Sequence, residues 1–353
     1  MRSLIALLGG DGVGPEVCEQ ALRVLERVGE LCDHTFEVQR AAIGGEAIDS
    51  AADPLPTATV ELCREADAVL LGAVGHPRFD GQALRPEAGL LRLRSELELF
   101  VNLRPVRTYE SLADASPIRP EYLRGVDLMI VRELTGGLYY GERGRDADRA
   151  FDTCVYTRAE IARVVRVACE MATERRQLVT SVDKANVLDT SRLWRDTATT
   201  IAGDEFPGIT LEHGLVDSMA MHLVTRPADF DVVVTENMFG DILSDEAAVL
   251  AGSLGMLPSA SLGIGQRGLY EPVHGSAPDI GGQGIANPYA AILSAAMLLR
   301  HSLALPAEAA MVEAAVEAAV RDGVLTHDLN PNTAVDTPTA GSAVLERLAT
   351  TPG

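Results

Sequence analysis

The sequence predicts an α/β protein of two domains, and three observations carry that prediction. Apolar runs of strand length recur at 4–8, 67–74, 126–131, 177–182 and 230–235. Stretches of helical periodicity lie between or after them at 15–31, 158–174, 191–202, 288–299 and 307–321. Such alternation builds a largely parallel sheet covered by helices. The chain of 353 residues also exceeds the roughly 250–300 at which a single core stops growing, so two domains are expected.

Composition narrows the function. A hydrophobic content of 47% is that of a globular protein with a substantial core. The five cysteines, Cys18, Cys32, Cys63, Cys154 and Cys169, are scattered without a Cys-x-x-Cys pair, which argues against a disulfide framework and against a zinc site. A net charge of −21 disfavours nucleic acid and anionic membrane as partners. Any anionic substrate must then be held by a local cluster of positive groups. No apolar run reaches the roughly 18 residues of a membrane span. Leu4 to Leu8 is too short for a secretory signal, so a cytoplasmic location is expected.

Taken in order, the first strand at 4–8 runs into Gly9-Gly10-Asp11-Gly12-Val13-Gly14, and Pro15 sits where the first turn of a helix accepts it. The spacing is not Gly-x-Gly-x-x-Gly and the proline removes an amide donor, so the classical Rossmann fingerprint is rejected; a tight strand-to-helix turn is the simpler reading. Residues 135–157, rich in glycine, charge and aromatics, read as a hairpin arm too small to stand alone, which would pack on a partner subunit. After the run at 230–235 comes Asn237-Met238-Phe239-Gly240-Asp241-Ile242-Leu243-Ser244-Asp245-Glu246. If the segment after Gly240 is helical, Asp241 and Asp245 project from one face, one turn apart. Two like charges so placed suit a hard divalent cation such as Mg²⁺ or Mn²⁺, or else belong to a solvated acidic face. The Thr-, Pro- and Gly-rich final residues read as a loose terminus.

Four groups of residues look suited to chemistry. Among 30 basic residues Lys184 is the only lysine; unlike arginine it can lose its proton near a cation, which makes it a candidate base, with Tyr139 as the matching acid. Arg94, Arg104 and Arg132 have the planar fork that binds carboxylates. Asp217 joins Asp241 and Asp245 as an acidic group, with a helix N-cap as the plainer alternative. The segment 271–288 reads as a ligand loop of closely approachable backbone, with contacts on offer from His274 and Asn287.

Gly-Asp-Gly-Val-Gly-Pro-Glu at 10–16, Asn-Leu-Arg-Pro at 102–105, Arg-Glu-Leu-Thr-Gly-Gly at 132–137, Val-Asp-Lys-Ala-Asn-Val at 182–187, the stretch 237–246 and Glu-Pro-Val-His-Gly-Ser-Ala-Pro-Asp-Ile at 271–280 together resemble the metal-dependent β-decarboxylating dehydrogenases of the isocitrate/isopropylmalate family. The resemblance spans nearly the whole chain in the family's order. It implies a two-domain fold with non-classical nucleotide binding and a homodimer with shared active sites. Arg94, Arg104 and Arg132 would bind substrate carboxylates. Asp217, Asp241 and Asp245 would hold Mg²⁺ or Mn²⁺, with Asp217 also at the substrate. Lys184 and Asp217 would reach the neighbouring subunit's site, and Asn186 would contact substrate or cofactor. His274, Gly275, Ser276, Ala277, Asp279, Ile280 and Asn287 would line the cofactor site, and a carboxylate at Asp279 favours NAD over its 2′-phosphorylated form. His76 stands where the family usually has glycine.

Glu87, Leu90 and Leu91 occupy the positions where isocitrate-specific relatives carry serine and polar residues, and an apolar pocket there suits an isopropyl group. The expected reaction is oxidative decarboxylation of 3-isopropylmalate to 4-methyl-2-oxopentanoate with reduction of NAD, a step of leucine biosynthesis. The alternatives are a sister enzyme acting on isocitrate, homoisocitrate or tartrate, and a non-catalytic regulatory subunit of the same fold. Residues 1–99 with 253–353 are expected to form the cofactor-binding domain, and 100–252 the dimerisation domain with the arm at about 135–157.

Overall fold

The computed structural model describes residues 1–348; the final residues expected to form a loose terminus lie outside the described residues. Among those described, the strands are β1 Arg2–Gly10, β2 Thr35–Arg40, β3 Ala68–Ala73, β4 Val101–Arg107, β5 Asp127–Glu133, β6 Arg143–Arg145, β7 Ala150–Asp152, β8 Leu178–Asp183, β9 Thr210–Leu215, β10 Val232–Thr235, β11 Pro258–Leu262 and β12 Gly268–Pro272. The alternation of strands and helices expected from the sequence is present. β3 and β10 are buried at every position, as strands covered on both faces must be.

The chain divides into two units. One takes Met1–Leu99, Tyr109–Ser116 and the chain from Ala251 onward; the other takes Phe100–Thr108 and Pro117–Leu250. In the first, five strands lie in the order β2-β1-β3-β12-β11. They are parallel except where β11 turns back on β12. Its core joins Leu8, Ile43, Leu55, Leu71, Leu93 and Leu269, all fully buried; each such leucine or isoleucine contributes about 1.5–3 kcal/mol. Helix Tyr289–His301 is buried from Tyr289 through Leu299 and packs on helices Gly14–Cys32 and Pro306–Arg321. Pro15 lies in the first turn of helix Gly14–Cys32, where its missing N–H costs nothing.

His301 closes helix Tyr289–His301, and burial, with Arg300 beside it, pushes its imidazole down to about 4 from 6.5. A neutral folded histidine gives stability that is present above pH 6.5 and lost as pH falls through 4. Thermal unfolding of the His301→Gln protein is therefore expected to lose stability less steeply than the unsubstituted protein between pH 6.5 and 4, by about 1–3 kcal/mol across that window.

In the second unit the strand order is β4-β5-β10-β8-β9, antiparallel between β4 and β5 and parallel elsewhere. Thr157 and Glu160 form a capping box that starts helix Arg158–Thr173, which packs on helix Asp189–Glu205. Helices Val216–Thr225 and Asn237–Ala248 pack on each other. β6 and β7 pair as a short antiparallel hairpin. It is shorter than the alternating pattern at 151–156 suggests, because residues beyond Asp152 leave the ladder. No helix among the described residues is long and apolar enough to cross a membrane.

Candidate active site

The helix that carries the paired aspartates starts at Asn237, three residues before Gly240. Glu236 sets that start, since its carboxylate accepts the Phe239 N–H at 2.8 Å and so satisfies an end amide. Tyr156 donates to the same carboxylate at 3.1 Å. Gly240 is required by packing: a Cβ there would stand 2.7 Å from Cγ of Arg132. The helix thus lies directly on the arginine that ends β5.

Asp241 and Asp245 share one helix face, and two buried arginines meet them. Arg132 is 3% exposed; its Nη1 pairs with Asp241, and its Nε and Nη2 donate to Asn237 Oδ1 at 3.1 and 2.9 Å. Arg104 on β4 donates from Nη1 to Asp245 Oδ1 at 3.2 Å and to Ser244 Oγ at 2.5 Å, and its Nη2 lies 3.6 Å from Asp241. Asn102, two residues earlier on the same strand face, accepts from Arg104 Nε at 2.8 Å. The Tyr139 hydroxyl donates to Asp241 Oδ2 at 2.9 Å. Burial and the Asp241 carboxylate push this phenol up to about 12, so it stays protonated at neutral pH. Burial raises the Asp245 carboxyl against the opposing pull of Arg104. The sequence missed Asn102, Asn237, Ser244 and Glu236; only Asn102 and Ser244 carried a spacing that could have pointed to them.

Lys184 and Asp217 form a separate pair. Lys184 follows the end of β8, and its Nζ lies 2.5 Å from Asp217 Oδ1. That hydrogen bond holds the Asp217 carboxyl below its ordinary range. The lysine loop is fixed from behind: Lys184 N–H donates to Ser191 Oγ at 3.0 Å, and Asp183 takes both Nε and Nη2 of Arg195 at 2.8 Å. Asp217 sits in the first turn of helix Val216–Thr225, whose N-cap is Leu215, so the capping role is not its own. Asn186 is exposed on the loop after Lys184. Among the described residues no hydrogen bond or ion pair joins Lys184 or Asp217 to Asp241 or Asp245, and no three acidic, histidine or cysteine side chains gather as a metal site.

In the first unit Arg94 is buried and pairs with Glu271 at 2.7 Å, while its Nε is buried without a partner. Glu271 and Pro272 end strand β12, which corrects the reading of a loop from residue 271: Glu271 pairs in register with Ser259, and the loop begins at Val273. Glu87 is exposed in the first turn of helix Pro86–Glu96. Leu90 packs partly against the core of the unit, and Leu91 is half-buried.

The glycine loop and the loop after β12 are fastened together. Val13 N–H donates to the Ser276 carbonyl at 2.8 Å. A Cβ on Gly12, whose φ is +57°, would stand 1.9 Å from that oxygen. Ser276 Oγ donates to Gly75 O at 2.6 Å, and buried Asp11 accepts from the amides of Gly45, Glu46 and Gly75. Beside these loops lies a cavity of about 640 Å³, walled by Val13, Leu254, Gly255, His274, Asn287 and Asp328 among others. Gly275, Ala277 and Ile280 also reach it, whereas Ser276, turned inward by its own hydrogen bonds, and exposed Asp279 do not. His274 meets the Gly275 carbonyl through Nδ1 at 2.8 Å, and its buried Nε2 has no partner. Burial lowers this imidazole, so it is neutral, with one nitrogen left to accept from a ligand.

The fold is α/β, and the site sets two buried arginines against a pair of aspartates one helical turn apart. Residues 4–344 match the model of the isocitrate/isopropylmalate dehydrogenase family, and the chain belongs to that family. It is 54% identical to a 3-isopropylmalate dehydrogenase of Rhodopirellula baltica, over 99% of this chain and all of that one. It is 59% identical to a 3-isopropylmalate dehydrogenase of Priestia megaterium over 93% of this chain and 91% of that one. Among solved structures, an isocitrate dehydrogenase of Methylococcus capsulatus superposes with a TM-score of 0.89 at 36% identity, covering 98% of this chain and 99% of the other.

Proposed function

We propose that this protein catalyses the oxidative decarboxylation of 3-isopropylmalate to 4-methyl-2-oxopentanoate with NAD, in leucine biosynthesis, as a cytoplasmic homodimer. The observation that carries the reading is the pair Asp241 and Asp245 met by Arg104 and Arg132, with Tyr139 on Asp241. The relatives' named substrate supports the choice of acid.

The residues present fit a divalent ion. Asp241 and Asp245 offer only hard oxygens, at 35% and 62% side-chain exposure, and Asp217 of a second copy would complete the set. The orphaned His274 Nε2 and the cavity beside it fit the adenosine half of NAD. A divalent ion held by Asp241 and Asp245 would supply Lewis acidity, and a nicotinamide cofactor would supply a hydride acceptor.

In this reading Arg104 and Arg132 hold the acid's carboxylates by charge-assisted hydrogen bonds. Lys184 Nζ, contributed by the neighbouring subunit, takes the hydroxyl proton as the hydride leaves C2. The Tyr139 hydroxyl, held protonated, gives its proton to C3 after the bond to the departing carboxylate breaks and CO₂ leaves. Asn186, on the loop after Lys184, completes the substrate's surroundings. Asp279, which does not line the cavity beside His274, is assigned to the ribose hydroxyls by the sequence resemblance alone. Exposed Met221, Val224 and Ile242 on two packed helices, with Val249 just past the end of the second, supply an apolar surface for the second copy, and the hairpin β6–β7 interlocks it.

Assay with Mn²⁺ and NAD on 3-isopropylmalate, isocitrate, homoisocitrate and tartrate tests the reading. NADH and CO₂ are expected from 3-isopropylmalate with a kcat/KM about 10²-fold above that for isocitrate. Faster turnover of isocitrate would overturn the pocket assignment.

A further inference from the structure

We propose that Asn237 is a positioning residue that aims Arg132 at the acid substrate without neutralising it. This role presupposes the function proposed above. Asn237 is 1% exposed. Its Oδ1 accepts both Nε and Nη2 of Arg132, its Nδ2 donates to the Gly136 carbonyl at 3.2 Å, and its backbone N–H donates to the Tyr156 hydroxyl at 3.0 Å. One side chain therefore fixes the guanidinium and also the loop that leads into Tyr139. An amide can do both, whereas a carboxylate accepts without donating and an ammonium donates without accepting.

The neutrality of that acceptor is the telling feature. Arg195 is held by Asp183 and Arg175 by Asp231, each a carboxylate. The two arginines facing Asp241 and Asp245 are instead each held from behind by an asparagine, Asn237 for Arg132 and Asn102 for Arg104. A carboxylate in either place would orient the fork equally well but add a negative charge to a buried site built to attract a dianion, where charges act at short range and low dielectric. The asparagines orient and leave the attraction intact.

Steady-state kinetics of Asn237→Asp and Asn237→Ala with 3-isopropylmalate, Mg²⁺ and NAD test this. Asn237→Asp is expected to raise KM for the acid about tenfold or more, and more than Asn237→Ala, while KM for NAD stays within about twofold. A purely structural role predicts the reverse order, because aspartate keeps the acceptor for Arg132 and loses only the bond to Gly136, whereas alanine loses both. An Asn237→Asp enzyme with unchanged KM for the acid, or one less impaired than Asn237→Ala, would overturn the proposal. Should the Asn237→Asp chain not fold, Asn102→Asp reads the same charge effect at Arg104, and an unchanged KM there is equally decisive against it. Failure of the unsubstituted protein to oxidise 3-isopropylmalate would bring down the functional reading and this role together; an active enzyme indifferent to both aspartates would sink this role alone.

Discussion

Alanine in place of Lys184 is expected to lower kcat on 3-isopropylmalate by about 10³-fold or more, since a positioned general base contributes about 10²–10⁴. KM for NAD should stay within about twofold, because the nucleotide is assigned to the loops after β12 and not to this lysine. Lys184→Arg is the sharper variant. Arginine keeps the charge and can still pair with Asp217, yet it does not give up its proton. If the lysine served only to anchor Asp217, arginine would restore activity to within about tenfold. If it moves a proton, the arginine enzyme is as slow as the alanine one. Stopped assays of NADH release separate the two.

Asparagine at Asp241 or Asp245 is expected to weaken binding of Mn²⁺ by about 10²-fold or more, since the affinity of a hard-cation site follows its carboxylate count. Calorimetric titration measures it. Without metal the two substitutions should part company. The Arg132 side chain is 4% exposed and its partner Asp241 35%, so Asp241→Asn leaves a buried guanidinium short of its counter-charge, at a cost of up to about 3–5 kcal/mol. Asp245 is 62% exposed, and Asp245→Asn should cost no more than about 1 kcal/mol. With metal at about a hundred times its dissociation constant, the unsubstituted protein gains about 2.7 kcal/mol, a gain that both variants lose. Equal metal binding in Asp245→Asn would remove that residue from the ligand set.

Legible strands such as β3 and β10 are buried on both faces, whereas β12, buried at every position, escaped because Glu271 and Pro272 interrupt its apolar run. β3 and β10 are unbroken apolar runs, and no other element explains such a run bounded by turns. β2 and β9, both edge strands, are exposed or half-buried throughout and so lack the pattern that marks a strand. β4 was hidden by Pro105 and by two arginines inside it. The spacing of Asp241 and Asp245 announced a shared helix face because it depends only on helical period, and Lys184 stood out by composition alone. The pairing of Arg94 with Glu271 could not be read, for 177 positions separate them and only the sheet order β3-β12 carries Glu271 into the unit that holds the arginine. The early start of helix Asn237–Ala248 was equally hidden, since Glu236 acts as its cap through a long side chain where Ser, Thr, Asp or Asn would have been the expected signal.

A lysine from one chain serving the aspartates of the other makes a prediction that only mixed dimers can test. Lys184→Ala and Asp241→Asn proteins, each inactive, are unfolded together, refolded at equal amounts and assayed. Because the mixed dimer then holds one site with both residues intact, activity should return to about a quarter of the unsubstituted level. Were both residues drawn from the same chain, every site would carry one defect, and a mixture as inactive as its parents would contradict the account.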